Sequence, residues 1–215
     1  AIARAVDKNC RRVKLKVSPK TPLSALENAR ESFPDLEMFI DCNGSFDLND
    51  KPSLLKIDQM GFQLIEQPFH YKDFFAHAAL QELMSTRICL DESIVSPRHA
   101  RYALEMEACR IVNIKPGRVG GLRQGLEIHE MCRAQDVPVW CGGMLETGVG
   151  RASNLAIASL PGFSLPGDIS ASERYFARDI THERFTLNLD STIDVPTSPG
   201  LGVTIDEEAL QQFTL

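Results

Sequence analysis

Long runs of any one kind are missing from this chain. No Lys/Arg run exceeds two residues and the net charge of the 215 residues is −6, which counts against a nucleic acid or an anionic membrane as partner. No apolar segment reaches the roughly 18 residues of a membrane span, and no signal peptide is expected. A cytoplasmic location is the expectation. Cys10, Cys42, Cys89, Cys109, Cys132 and Cys141 are scattered, with no C-x-x-C pair. They read as reduced thiols, several in buried strands, not as a disulfide frame or a zinc site. His70, His77, His99, His129 and His182 lack metal-ligand spacing and are expected at the surface. "GRVGG" (117–121) has neither the Walker Lys-Ser/Thr nor the dinucleotide G-x-G-x-x-G, so it reads as a tight turn between strand and helix. Trp140, the single tryptophan, is expected in the core.

What is present is alternation. Short β-rich runs, "RVKLKV" (12–17), "EMFIDC" (37–42), "FQLIEQ" (62–67), "RICLDE" (87–92), "RIVNIK" (110–115), "VPVWCG" (137–142) and "FSLPGD" (163–168), are separated by helical segments. Thr21-Pro22 and Ser96-Pro97 put a capping side chain ahead of a proline at the first helical position. Gly61 and Gly162 follow helical runs as stop signals. "CGGMLETGVGR" (141–151) is glycine-dense, as either turn geometry or close approach of backbone to a ligand would require. The βαβα order demands a parallel sheet, open or closed.

Spacing selects the closed form. Lys16, Asp41, Glu66, Asp91 and Lys115 end successive strands at intervals of 25, 25, 25 and 24 residues. Such a unit suits a (β/α)8 barrel, whose reactive residues stand at C-terminal strand ends. Alternation along each strand turns Ile40, Ile65, Leu90 and Ile114 toward helices and the neighbouring charged residue toward the barrel axis. Three carboxylates at one height on adjacent strands would repel and raise one another's pKa. A hard divalent cation relieves this, and an all-oxygen site suits Mg²⁺, with Mn²⁺ or another divalent cation as alternatives. Asn43 and Ser93 share the parity of Asp41 and Asp91 and are candidates for contacts to those ligands or to substrate. Lys16 and Lys115 would approach from opposite sides, and Lys14 is expected to lower the pKa of Lys16 toward that of a general base. The set suits removal of an α-proton from a small carboxylate substrate, with the metal holding the enediolate. A Schiff-base lysine at Lys16 or Lys115 is the competing chemistry; the three acids argue against it.

"KLKV", "DCNGSF", "IEQPF", "LDESI", "NIKPGRVGGL" and "VWCGGMLETGVGRASNLAIASLPGFSLPGDIS" resemble the enolase superfamily, in its branch of o-succinylbenzoate synthases and N-acylamino acid racemases within the muconate lactonizing enzyme-like subgroup. The resemblance covers residues 11 to 205. It implies an α/β fold, a (β/α)7β TIM barrel, here without the N-terminal capping domain and first barrel strand. It implies Asp41, Glu66 and Asp91 as metal ligands, Lys16 as acid/base and Lys115 opposite it. It also implies that Asn43 supports the metal shell and that Gly143 and Met144 line the substrate pocket. The activity it implies is o-succinylbenzoate synthesis for menaquinone, or N-acylamino acid racemisation on the same residues; a dipeptide epimerase is more distant. A homo-oligomer is expected at full length. Residues 1–180 are expected to form the partial barrel and 181–215 a segment packing on it or on the cap. "AIARAVDKNCRR" reads as the last turns of an amphipathic helix, so the chain is expected to begin inside a domain. A metal-binding chain that is inactive without the cap is the non-enzymatic reading.

Overall fold

β-branched and aliphatic residues at alternate positions build six strands: β1 (Arg12–Lys16), β2 (Glu37–Asp41), β3 (Leu64–Glu66), β4 (Arg87–Leu90), β5 (Ile111–Ile114) and β6 (Val139–Cys141). In the structure, a computed structural model describing residues 2–214, they form one parallel sheet in chain order. Helices cross between them: α2 (Leu23–Ser32), α3 (Lys51–Asp58), α4 (Phe74–Gln81), α5 (Pro97–Glu105), α6 (Pro116–Val119) and α7 (Leu122–Arg133). Helix α1 (Ile2–Val6) precedes the sheet; α8 (Gly148–Ala158) and α9 (Glu207–Phe213) follow it. The result is a partial (β/α) barrel.

The two faces of the sheet carry different chemistry. Ile40, Ile65, Ile88, Leu90, Val112 and Ile114 pack outward in one cluster with Leu54, Leu80, Leu104 and Ile128 from the helices. Inward, Phe39, Leu64, Cys89, Ile111 and Trp140 form a separate plug. Trp140 meets Phe39 edge to face at 6.1 Å between centroids and donates its indole N–H to Cys89 Sγ at 3.2 Å. One period of two above this apolar layer come Asp41, Glu66, Asp91 and Asn113. The plug therefore walls the site off from below, and every buried strand cysteine is a free thiol within the packing.

Four local expectations need correction. "FSLPGD" (163–168) forms no strand. Pro166 has no N–H to donate, only Asp168 N reaches a strand carbonyl, that of Cys141, and the Pro166 and Gly167 carbonyls are taken by the Arg12 guanidinium. Ser96 caps α5 through His99 N as expected, but Pro22 itself occupies the cap position of α2, and Thr21 Oγ1 accepts from Ser18 N behind it. His77 and His129 are buried. "GRVGG" becomes the single turn α6, ended by Gly120 in the left-handed region (φ 101°), where a side chain would be strained. Gly61 and Gly162 do take φ of 77° and 100°, but a few residues beyond their helices, whose caps are Gln59 and Ser159. Beyond the sheet, Phe185 packs on Ala152 and Leu155 of α8.

Candidate active site

Register decides how the strand-end acids meet. Lys16 pairs with Asp41 and Asp41 with Glu66, but Glu66 pairs with Cys89. Asp91 thus stands one period of two higher than Glu66, and the equal height expected for three acids holds for only two. The cause is the stagger by which strands tilt around a barrel.

The acids divide between two sets of cations. Lys14 Nζ lies 2.7 Å from Asp168, 3.2 Å from Asp41 and 3.3 Å from Glu66. Lys16 Nζ donates to Asp41 and to Asn43 Oδ1, both at 2.6 Å. Across the mouth, Lys115 Nζ donates to Asp91 at 2.8 Å, and Arg118 also binds that carboxylate. Burial would lower the Lys14 pKa, but Glu66, Asp168 and Asp41 outweigh it and hold this ammonium well above its ordinary range. Burial would likewise raise Asp91, but Arg118 and Lys115 hold it below the usual carboxylate value. Glu66 goes the other way: burial, reinforced by Asp41 and Asp91 and opposed by Lys14, pushes it up to about 7. Asn113 Nδ2 donates to its Oε1 at 2.8 Å.

Among the described residues no three His, Cys, Asp or Glu side chains stand in metal-holding geometry; lysines and Arg118 sit against the acids. The donor chemistry nonetheless fits a hard divalent ion: Asp41, Glu66 and Asp91 are all buried, offer only oxygens and end consecutive strands. The elevated pKa of Glu66 reflects its burial first, with the nearby Asp41 and Asp91 carboxylates adding to it.

The remaining expected residues divide. Asn43 bridges Lys16 to Glu92, donating to the Glu92 carboxylate at 2.9 Å; Glu92 therefore turns to the mouth although its parity opposes that of Asp91. Ser93 is buried and takes its hydroxyl contact from Gln67. Gly143 lies hard against the Asp168 carbonyl, and Met144 is half-exposed beside it with its N–H on Glu146. Gly142 is required because a Cβ there would collide with Asn113 and Lys115. Asn113, Arg118 and Asp168 escaped the sequence reading. Asn113 shares the parity of Lys115 two residues on, a signal that was available; Arg118 lies past a proline turn where strand period ends, and Asp168 lies in the segment misread as a strand.

A barrel whose strand ends gather acids between opposed lysines is the working face of one family. The chain belongs to the enolase C-terminal domain-like family, whose model matches residues 1–209. Among curated relatives it is 48% identical to an N-succinylamino acid racemase of Amycolatopsis, over 97% of this chain and 56% of that protein. It is 45% identical to the o-succinylbenzoate synthase of Geobacillus kaustophilus, over 99% of this chain and 56% of that protein. A crystal structure of an enolase superfamily member from Listeria innocua matches with TM-score 0.94 and 45% identity, covering 100% of this chain and 57% of that one. The chain spans a little over half the length of these relatives. Among the described residues no helix is long and apolar enough to cross a membrane.

Proposed function

We propose that the intact protein is a divalent-cation-dependent o-succinylbenzoate synthase, serving menaquinone biosynthesis, with N-acylamino acid racemisation as the alternative on the same residues. The observation that carries this reading is the pair of lysines on β1 and just beyond β5, each bonded to a different acid across one mouth. Relatives at this level of identity bear both names, so the names do not separate the two.

The neutral amine of Lys16 accepts the substrate α-proton, leaving the C–H electron pair on the carboxylate-bearing carbon. In the synthase reaction the same lysine then delivers that proton to the departing hydroxyl, and water leaves. Its side chain is 63% exposed whereas that of Lys115 is 16% exposed, which suits a group that must move between two atoms. Lys115, held by Asp91, keeps its charge beside the substrate carboxylate. In racemisation Lys115 instead returns a proton to the opposite face. Asp41, Glu66 and Asp91 would hold the cation, Mg²⁺ by the hardness of the donors, which when bound supplies positive charge to the carboxylate as the α-proton leaves.

The test is α-proton exchange in D₂O, followed by NMR on the intact protein with each substrate. Lys16→Ala should lower exchange by roughly 10³-fold or more, and unchanged exchange would sink the assignment. Lys115→Ala should abolish interconversion of enantiomers while sparing part of the dehydration. Comparing kcat/KM for the two substrates assigns the physiological reaction.

A further inference from the structure

Gln67 follows Glu66 directly, is fully buried, and has φ of +41°, a left-handed backbone that a long side chain rarely adopts. Every hydrogen-bonding group it owns is used. Its N–H donates to Cys89 O at 2.8 Å and its carbonyl accepts from Gly44 N at 2.7 Å. Its Oε1 accepts from the backbone N–H groups of Asp91 at 3.0 Å and Ser93 at 3.1 Å. Its Nε2 donates to Ser93 Oγ at 2.8 Å and Phe69 O at 3.1 Å. An amide has two acceptor sites and two donor hydrogens, and this one is saturated.

Apart from Cys89 within β4, the partners lie on the loops after β2, β3 and β4, the strands at whose ends Asp41, Glu66 and Asp91 stand. Asp91 lies just past the last paired residue of β4, so the ladder no longer fixes its height; Gln67 Oε1 does. We propose that Gln67 is a positioning residue that sets Asp91 in place as third metal ligand before any cation arrives, by ordering the Asp91–Ser93 backbone. This rests on the reading of Asp41, Glu66 and Asp91 as a metal site. A substitution that removes the side-chain oxygen leaves two buried N–H groups without partners, and the loop that carries the ligand must move to satisfy them.

The experiment is titration of Mn²⁺ into the intact protein, with free ion followed by EPR, for the unsubstituted protein, Gln67→Met, Asp91→Asn and Leu54→Ala. Gln67→Met should weaken Mn²⁺ binding 10- to 100-fold. Leu54→Ala, a cavity on the helix side, should lower the thermal midpoint without changing affinity. Equal affinity for Gln67→Met and the unsubstituted protein, with Asp91→Asn impaired, overturns this proposal alone. Binding untouched by Asp91→Asn overturns the metal reading beneath it. If Gln67→Met does not fold, amide exchange in the unsubstituted, metal-free protein decides. The Asp91 and Ser93 amides should exchange as slowly as those of β4; protection gained only on adding Mg²⁺ would mean that the ion, not Gln67, orders the loop.

Discussion

His77 on α4 is fully buried and neutral by construction. Its Nε2 accepts the Phe69 N–H at 3.2 Å, while Nδ1 faces the Asp73 carbonyl at 2.6 Å. A second proton would have to enter where a donor already points. Burial, opposed by Asp73, lowers its pKa from 6.5 to about 4. A base whose folded pKa is depressed leaves stability complete above the unfolded value and lost as pH falls through the window between the two. The folded state should thus lose roughly 3 kcal/mol between pH 6.5 and 4 on this account. Urea denaturation across that range checks it, with His77→Gln expected to flatten the slope; an equal slope in the variant refutes the assignment. Nothing in "DFFAHAAL" marks the ring as buried, since its partners come from a loop four to eight residues upstream. Lys16, Asp41, Glu66, Asp91 and Lys115 were legible as a strand-end series because strand parity repeats, and Gln67 was not, because a left-handed turn breaks that parity.

At the scale of single elements, local signals succeeded where the chain's own backbone supplies the partner. Ser96 accepts from His99 N within its own helix, so Ser96→Ala should cost about 1 kcal/mol in denaturant unfolding. A loss below a few tenths would show that Pro97 alone starts α5. Thr21 carries the same dipeptide signal, yet its hydroxyl turns back to Ser18, a choice made by the loop and not by the dipeptide. "FSLPGD" fails as a strand for a related reason: alternation was present, but Pro166 and the Arg12 guanidinium leave no ladder to join.

Across the whole molecule, Arg12 ties the first strand to the loop that follows α8. It donates to Gly167 O at 2.7 Å and to Pro166 O, and its guanidinium lies 4.5 Å over the Phe39 ring. Arg12→Ala should destabilise by about 2 kcal/mol, from two bonds of a charged donor and lost stacking. It should also speed amide exchange at Asp168 while leaving β3 and β4 protected; uniform exchange throughout would mean that the tie is not local. The sequence by itself determined the alternation, the parallel barrel, the inward acids and the flanking lysines, because each follows from periods of two and about 25 residues. Only the tertiary structure decided the stagger that lifts Asp91 above Glu66, the division of the acids between two cation sets, and the part played by Asn113, Arg118, Asp168 and Gln67. Those depend on register and on contacts between loops far apart in the chain, and no local period encodes them.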